Sequence, residues 1–555
     1  MLSSTLLAIC TLLTVASAQD APTATIDSGV LVGVKTVLPT ATAAVNKFLG
    51  VPFAQSPPER FSPPVRERPY ANGPRNASAF SAACVQQFLT PTAERAFNNP
   101  PPVESEDCLY LNVFAPDTPV SPQNARSVLF WIYGGSLQFG NAGQDAYDGS
   151  YFAAYEDVIV VTANYRTNIF GFPTSPELNA TGRNLGFLDQ RAALDWVQRN
   201  IAAFGGDPKK VTIFGESAGA FSVDALLTSF PRDSAPPFRG AILQSGQYSY
   251  RRTSPSVSFG PWLNLTASLN CPGTFSNNLT CVRAANASQV KDIIQRNQLT
   301  FNPGVDNLTL VQNPAQARRS GNIAFVPVLA GTNSQEGRVF QIGQNDTRAF
   351  LRTTFGNNET IINAFLAAYP QGQGGLNTPY DVISQIFTEF AFQCPQAAML
   401  NDSATARIPS WRYYFNASFA NTQALPNLGS YHASEIPIVF RTYDKFNTTV
   451  QQYALTQYMQ SVWGRFARNP SGGPGWNAVD VGVEAPILVG ANGVEIGGLY
   501  QDGLGQRTSG TFNLAVLGDI GGFRSSGATI IRPQQVDYRC FLYQPTYDAI
   551  RSQGL

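Results

Sequence analysis

Short, almost wholly apolar runs alternate along this chain with longer stretches whose apolar residues fall at helical spacing. Ser127–Tyr133 (S-V-L-F-W-I-Y) and Asp157–Tyr165 (D-V-I-V-V-T-A-N-Y) are the clearest runs, and Val211–Phe214, Arg239–Gly246 and Phe325–Ala330 repeat the signature. Strands covered on both faces need such runs, because neither face can be given to water. Between them, Asn184–Asn200 places apolar residues three and four apart, and Ala220–Leu227 is rich in Ala and Leu, so both predict helices. Near the N-terminus, Ile26, Val30, Val32 and Val34 within Thr25–Lys35 are spaced for a hairpin. Buried strands alternating with helices predict an α/β fold, a mostly parallel sheet with helices on both faces.

One junction in this pattern carries candidate chemistry. The strand Val211–Phe214 runs directly into Gly215-Glu216-Ser217-Ala218-Gly219, and the helix follows at once. Strand, G-x-S-x-G and helix in that order is the context of a nucleophile elbow, where a sharp turn exposes a serine hydroxyl. Glycines on either side allow the neighbouring backbone to come close. A serine nucleophile needs a base that accepts its proton near neutral pH, usually an imidazole. His432 is the only histidine in the sequence, so no other imidazole competes for that role. The run Ser127–Tyr133 ends in Gly134-Gly135-Ser136, where small residues let peptide N–H groups approach a developing oxyanion.

Composition narrows the setting. Leu6–Val15 is a short apolar core followed by Ala16-Ser17-Ala18, an A-x-A cleavage pattern, so residues 1–18 are expected to be a secretory signal and 19–555 a single mature domain. No stretch is long enough to span a bilayer as a helix. The net charge is zero and charged residues make up only 13% of the chain, which excludes a nucleic-acid binder that works through a basic surface. Beyond the signal, six cysteines remain: Cys84, Cys108, Cys271, Cys281, Cys394 and Cys540. An even number in a secreted chain predicts three disulfides without specifying their pairing. The lack of a C-x-x-C pair and the lone histidine speak against a metal site, and no cofactor is expected. Sequons at Asn76, Asn179, Asn264, Asn278, Asn286, Asn307, Asn345, Asn358, Asn401, Asn416 and Asn447 predict a glycoprotein.

Two stretches, Glu106-Asp107-Cys108-Leu109-Tyr110-Leu111-Asn112-Val113 and Phe204 through Gly219, resemble the signatures of the type-B carboxylesterases and lipases. That α/β-hydrolase family also holds the cholinesterases and several secreted fungal lipases, and its landmarks continue here as far as Cys540. The resemblance implies Ser217 as nucleophile, Glu336 in Gly331-Thr332-Asn333-Ser334-Gln335-Glu336-Gly337 as the acid, and His432 as the base. It implies an oxyanion hole from the N–H groups of Gly135, Ser136 and Ala218, with Ser136 replacing the family's third glycine and narrowing the acyl side. Ser245 matches a serine that supports acid and base from behind. The implied disulfides are Cys84–Cys108, Cys271–Cys281 and Cys394–Cys540, and Glu106 is expected to pair with Arg60 in a structural role shared by Asp107.

The function so implied is a secreted serine esterase that cleaves small-molecule carboxylic esters through an acyl-enzyme. A lipase acting on emulsified lipid, an acyltransferase or esterase of a biosynthetic pathway, and a non-catalytic adhesion homologue are the alternatives; the intact Ser217, Glu336 and His432 argue against the last. Choline-ester relatives carry a tryptophan in the loop closed by the first disulfide, where a ring face attracts a quaternary ammonium. Val85–Asp107 contains no Trp, only Phe88 and Phe97, and is interrupted by Pro100–Pro102. Uncharged esters of short or medium length are therefore the expected substrates.

Overall fold

The computed structural model describes residues 21–250, 257–272, 278–479, 514–518 and 527–553, with the backbone of short strands between 488 and 509. The expected signal, residues 1–18, lies outside the described residues. An eleven-stranded sheet forms the centre of the molecule. In chain order its strands are β1 (Val34–Thr36), β2 (Val45–Pro52), β3 (Tyr110–Pro116), β4 (Arg126–Ile132), β5 (Ile159–Ala163), β6 (Gly206–Glu216), β7 (Gly240–Gln244), β8 (Val328–Asn333), β9 (Ser410–Asn416), β10 (Leu514–Gly518) and β11 (Ala528–Ile531). Across the sheet they follow the order β11-β10-β9-β8-β7-β6-β4-β5-β3-β2-β1. From β5 to β10 every pairing is parallel, and antiparallel strands occur only towards the two edges.

The apolar runs become the central strands because they alone can be covered on both sides. Val128 through Trp131 and Val211, Ile213 and Phe214 are wholly buried. The helix Ala218–Ser229 packs on β6 and β7 and is buried on nearly its full circumference, which explains a sequence that is small or apolar except at Asp224. The helix expected over Asn184–Asn200 spans Leu185–Asn200.

Two elements differ from expectation. The run Phe325–Ala330 was expected as a strand, whereas β8 spans Val328–Asn333. Phe325 is largely exposed, and Pro327 has no N–H to give the ladder; the strand instead continues through polar Thr332 and Asn333, both buried and paired with β9. At the N-terminus, Thr23–Ile26 pairs antiparallel with Gly29–Val32, but Leu31 faces the core while Val30 and Val32 are only half-buried. Val34–Thr36 leaves that hairpin to become the edge strand β1.

The disulfides Cys84–Cys108, Cys271–Cys281 and Cys394–Cys540 are formed as the resemblance implied. Arg60 Nε bonds Glu106 Oε2 at 2.7 Å, and its guanidinium also donates to the carbonyls of Val282 and Ala285, so this pair ties two loops together. Asp107 accepts from the hydroxyls of Ser56 and Tyr110, a structural use as expected. Two of the sequons are corrected: Asn278 and Asn401 are 1% and 7% exposed, so neither amide has room for a glycan in the folded chain. Asn76, Asn179, Asn264, Asn286, Asn307, Asn345, Asn358, Asn416 and Asn447 are exposed. Among the described residues no helix is long and apolar enough to cross a membrane, and no cluster of His, Cys, Asp and Glu could hold a metal ion.

Candidate active site

β6 ends at Glu216 and the helix begins at Ala218, leaving Ser217 alone on the turn with φ 57° and ψ −121°. A non-glycine residue holds such a conformation only when its surroundings dictate it. Here the Ser217 N–H donates to the Gln244 carbonyl at 2.9 Å, and the Ser217 carbonyl accepts from Phe221 N–H at 2.9 Å. The flanking glycines are steric requirements. A Cβ on Gly219 would come within 1.9 Å of the Ile132 carbonyl oxygen, and one on Gly215 within 2.6 Å of the Gly219 carbonyl carbon.

The tight turn after β4 lies opposite. Gly135, Ser136 and Leu137 all have positive φ, 105°, 56° and 60°. Gly135 has no alternative, since a Cβ there would sit 2.2 Å from the Phe139 carbonyl oxygen. The N–H groups of Gly135, Ser136 and Ala218 carry no intramolecular hydrogen bond, which leaves all three able to donate to a substrate oxygen. Gly134, Gly135, Ser136, Ser217 and His432 line one pocket of about 210 Å³.

Glu336 and His432 come from loops after β8 and β9, 96 residues apart in sequence, and meet at 2.6 Å between His432 Nδ1 and Glu336 Oε2. Glu336 is fully buried, and its other oxygen accepts from the Asn333 N–H at 2.6 Å. The imidazole therefore keeps its Nδ1 proton on Glu336 and turns Nε2 towards the pocket. The Ser217 hydroxyl faces the same pocket without a hydrogen bond to Nε2; such contacts commonly close only when substrate binds. Phe392 and Phe340 flank the ring, with centroids 4.7 and 4.9 Å away.

Two further carboxylates stand here that the motifs did not single out. Glu216 Oε1 lies 3.1 Å from His432 Nε2, and both atoms are buried without a hydrogen-bond partner. Glu435 is held by Gln244 and Asn333 at 2.9 and 2.6 Å. Burial pushes the carboxyls of Glu216 and Glu435 upward, and each is raised further by its acidic neighbours. Burial works against a charged imidazole at His432, but the carboxylates of Glu216 and Glu336 outweigh it and place the group above its ordinary 6.5. The available signal was position alone: Glu216 is the second residue of G-x-S-x-G, and Glu435 follows the histidine by three residues.

Ser245 is placed differently from its expected role. It is buried with φ 53°, its N–H donates to the Gly331 carbonyl, and its hydroxyl has no hydrogen-bond partner. No bond from its side chain reaches Glu336 or His432; the Asn333 N–H reaches Glu336, while Gln244 and the Asn333 amide hold Glu435.

A model of the carboxylesterase family matches residues 20–485. Para-nitrobenzyl esterase of Bacillus subtilis is 34% identical over 461 residues, covering 80% of this chain and 89% of its own. Acetylcholinesterase of Electrophorus electricus is 31% identical over 507 residues, 77% of each chain. Chlorogenic acid esterase of Aspergillus niger is 30% identical over 447 residues, covering 78% of this chain and 80% of its own. A serine elbow open to a pocket at the end of a central parallel strand and a family match that spans all three loops around it lead to one conclusion: this chain belongs to the carboxylesterase family, has the α/β-hydrolase fold, and is a carboxylic ester hydrolase.

Proposed function

We propose that Ser217, His432 and Glu336 form the catalytic triad of a secreted esterase for uncharged carboxylic esters of short or medium length. The observation that carries this reading is the buried Nδ1–Glu336 bond, which points the only imidazole of the chain into the pocket that Ser217 lines. Ser217 Oγ attacks the ester carbonyl while His432 Nε2 takes its proton. The oxygen that becomes negative receives the N–H groups of Gly135, Ser136 and Ala218. His432 then returns the proton to the leaving alcohol, and water repeats the sequence on the acyl-enzyme. Glu336 holds the ring through Nδ1 and faces the imidazolium that forms at each step.

Substrate size and charge follow from the walls. Phe97 and Phe139 line the pocket, and Phe88 continues the stack with ring centroids 4.5 Å from Phe139. The loop that carries Phe88 and Phe97 is bolted down. Gln87 donates to the carbonyls of Ile294 and Leu299, and Glu104 pairs with Lys291 at 2.6 Å. Its one helix, Pro91–Phe97, has seven residues, too little amphipathic surface to lie on a lipid droplet. Three closed disulfides and exposed sequons support a secreted setting.

The test is a panel of p-nitrophenyl esters from acetate to palmitate beside emulsified triolein. A maximum among the shorter soluble esters is expected. A sharp rise in rate as triolein passes its solubility limit would assign the protein to interfacial lipolysis instead.

A further inference from the structure

Among the described residues five arginines are buried: Arg126, Arg166, Arg318, Arg412 and Arg441. Four of them hold an aspartate, respectively Asp157, Asp189, Asp224 and Asp537. Arg441, 8% exposed, holds none. Its guanidinium lies instead over the rings of Tyr155, Tyr453 and Tyr151, at 4.7, 5.1 and 5.4 Å from their centroids. A second cation stands beside it. Lys445 donates to the Arg441 carbonyl, and its Nζ lies 3.7 Å from the Tyr443 ring centroid and 5.0 Å from that of Tyr151.

The nearby carboxylates are already committed. Asp148 takes Lys47 and the Ser150 N–H and Glu156 takes Arg468, while Asp444 accepts the Phe446 N–H and acts on Lys445 through space without an ion-pair contact. Tyrosine faces give a cation part of what it loses on leaving water, but they do not neutralise it. Two like charges side by side repel, and Lys445 is pushed down to about 8 by burial and by Arg441. What the Arg441 guanidinium lacks is an anion in contact with it, and a guanidinium fork flanked by an ammonium is suited to a planar or tetrahedral oxyanion.

We propose that Arg441 and Lys445, walled by Tyr151, Tyr155 and Tyr453, bind a small oxyanion at a site separate from the catalytic pocket. A carboxylate and an inorganic phosphate share the necessary chemistry. The surface beside the cations is apolar enough for the organic member of that pair: Val450 and Tyr453, one turn apart on the helix Val450–Arg468, are 77% and 44% exposed. The acids released by ester cleavage are organic carboxylates of this class.

The experiment is thermal unfolding and calorimetric titration of the full chain with butyrate, benzoate or phosphate, against chloride at equal ionic strength. The protein is first inactivated with an organophosphate, so that the catalytic pocket is occupied. Saturable binding with a rise in Tm above the chloride control is expected, weakened about tenfold in Lys445→Gln and lost in Arg441→Gln. Only the ammonium of Lys445 is packed against rings, and the residue as a whole lies at the surface, so its variant folds and decides the matter even if Arg441→Gln does not. A larger shift with benzoate than with phosphate identifies an organic carboxylate, and the reverse identifies an inorganic ion; both support the site. No shift beyond chloride for any of the three anions, or an unchanged affinity in Lys445→Gln, overturns it.

Discussion

Two groups of carboxylates lie out of reach of water in this protein, and they differ in the cation each one meets. Asp189, Asp224 and Asp537 each face a guanidinium, and the Asp224–Arg318 pair is wholly buried. Glu216, Glu336 and Glu435, equally buried, share a single imidazole. A guanidinium does not release its proton, so the first group is locked in one charge state and serves the scaffold. An imidazole does release it, and the carboxyls of Glu216 and Glu435, both raised by burial, stand close to it. Burial with a fixed cation therefore builds structure, whereas burial with a titratable one builds a site where a proton can move.

The largest effect that tests this contrast is on rate. Ser217→Ala and His432→Gln are each expected to lose at least about ten-thousandfold in kcat, leaving the catalysis of binding and the oxyanion hole, and Ser217→Ala should do so with an unchanged Tm. An organophosphate should label the wild type once, at Ser217. A His432 variant that keeps its rate would remove the imidazole from the mechanism.

Arg318→Met should do the reverse. It leaves Asp224 as an unpaired buried charge on the helix that follows Ser217, and about 3–5 kcal/mol of stability is expected to go. The remaining folded enzyme should keep its kcat well below the lowered Tm. Lost activity at an unchanged Tm would place Arg318 within the chemistry and erase the distinction.

The pH profile is the next most sensitive measure. His432 accepts a proton only when neutral, so kcat/KM should rise with pH through one ionisation lying above the ordinary 6.5. The same upward displacement contributes stability below the unfolded value of about 6.5, and that contribution is lost as pH rises through the folded value. Glu216→Gln removes one carboxylate that favours the imidazolium and should move the acid limb down by about one pH unit. An unmoved limb would show that Glu216 stays neutral throughout and that Glu336 alone sets the base. Diethyl pyrocarbonate should inactivate with one modified imidazole per chain.

The smallest difference is expected between substrates. Butyrylcholine should be turned over no faster than uncharged butyrates, because Phe88 and Phe97 stack on Phe139 and the loop offers no tryptophan face. A strong preference for the choline ester would place an ammonium-binding surface elsewhere in the pocket.

Ser217 and the strand and helix around it were legible in the sequence, because an elbow is local: apolar run, glycine spacing and helix follow within a few residues. His432 was legible for a different reason, since the chain contains no other imidazole. Glu336 was reached through resemblance, because dozens of acidic residues could have oriented a ring. Only folding could show which carboxylates gather at His432. Glu216 ends a strand and Glu435 precedes a short helix more than two hundred residues on, and their upward shifts arise from burial and the acidic neighbours it brings, neither of which has any local trace. The same limit explains Ser245, whose hydroxyl ends without a partner, and Asn278 and Asn401, whose sequons read like the exposed ones. Arg441 belongs with them: its sequence neighbours include Asp444, and only the packing of α-helical tyrosines around it leaves the charge unanswered. Local sequence determines backbone geometry through propensity and sterics, whereas distance, burial and charge balance depend on what the rest of the chain brings alongside.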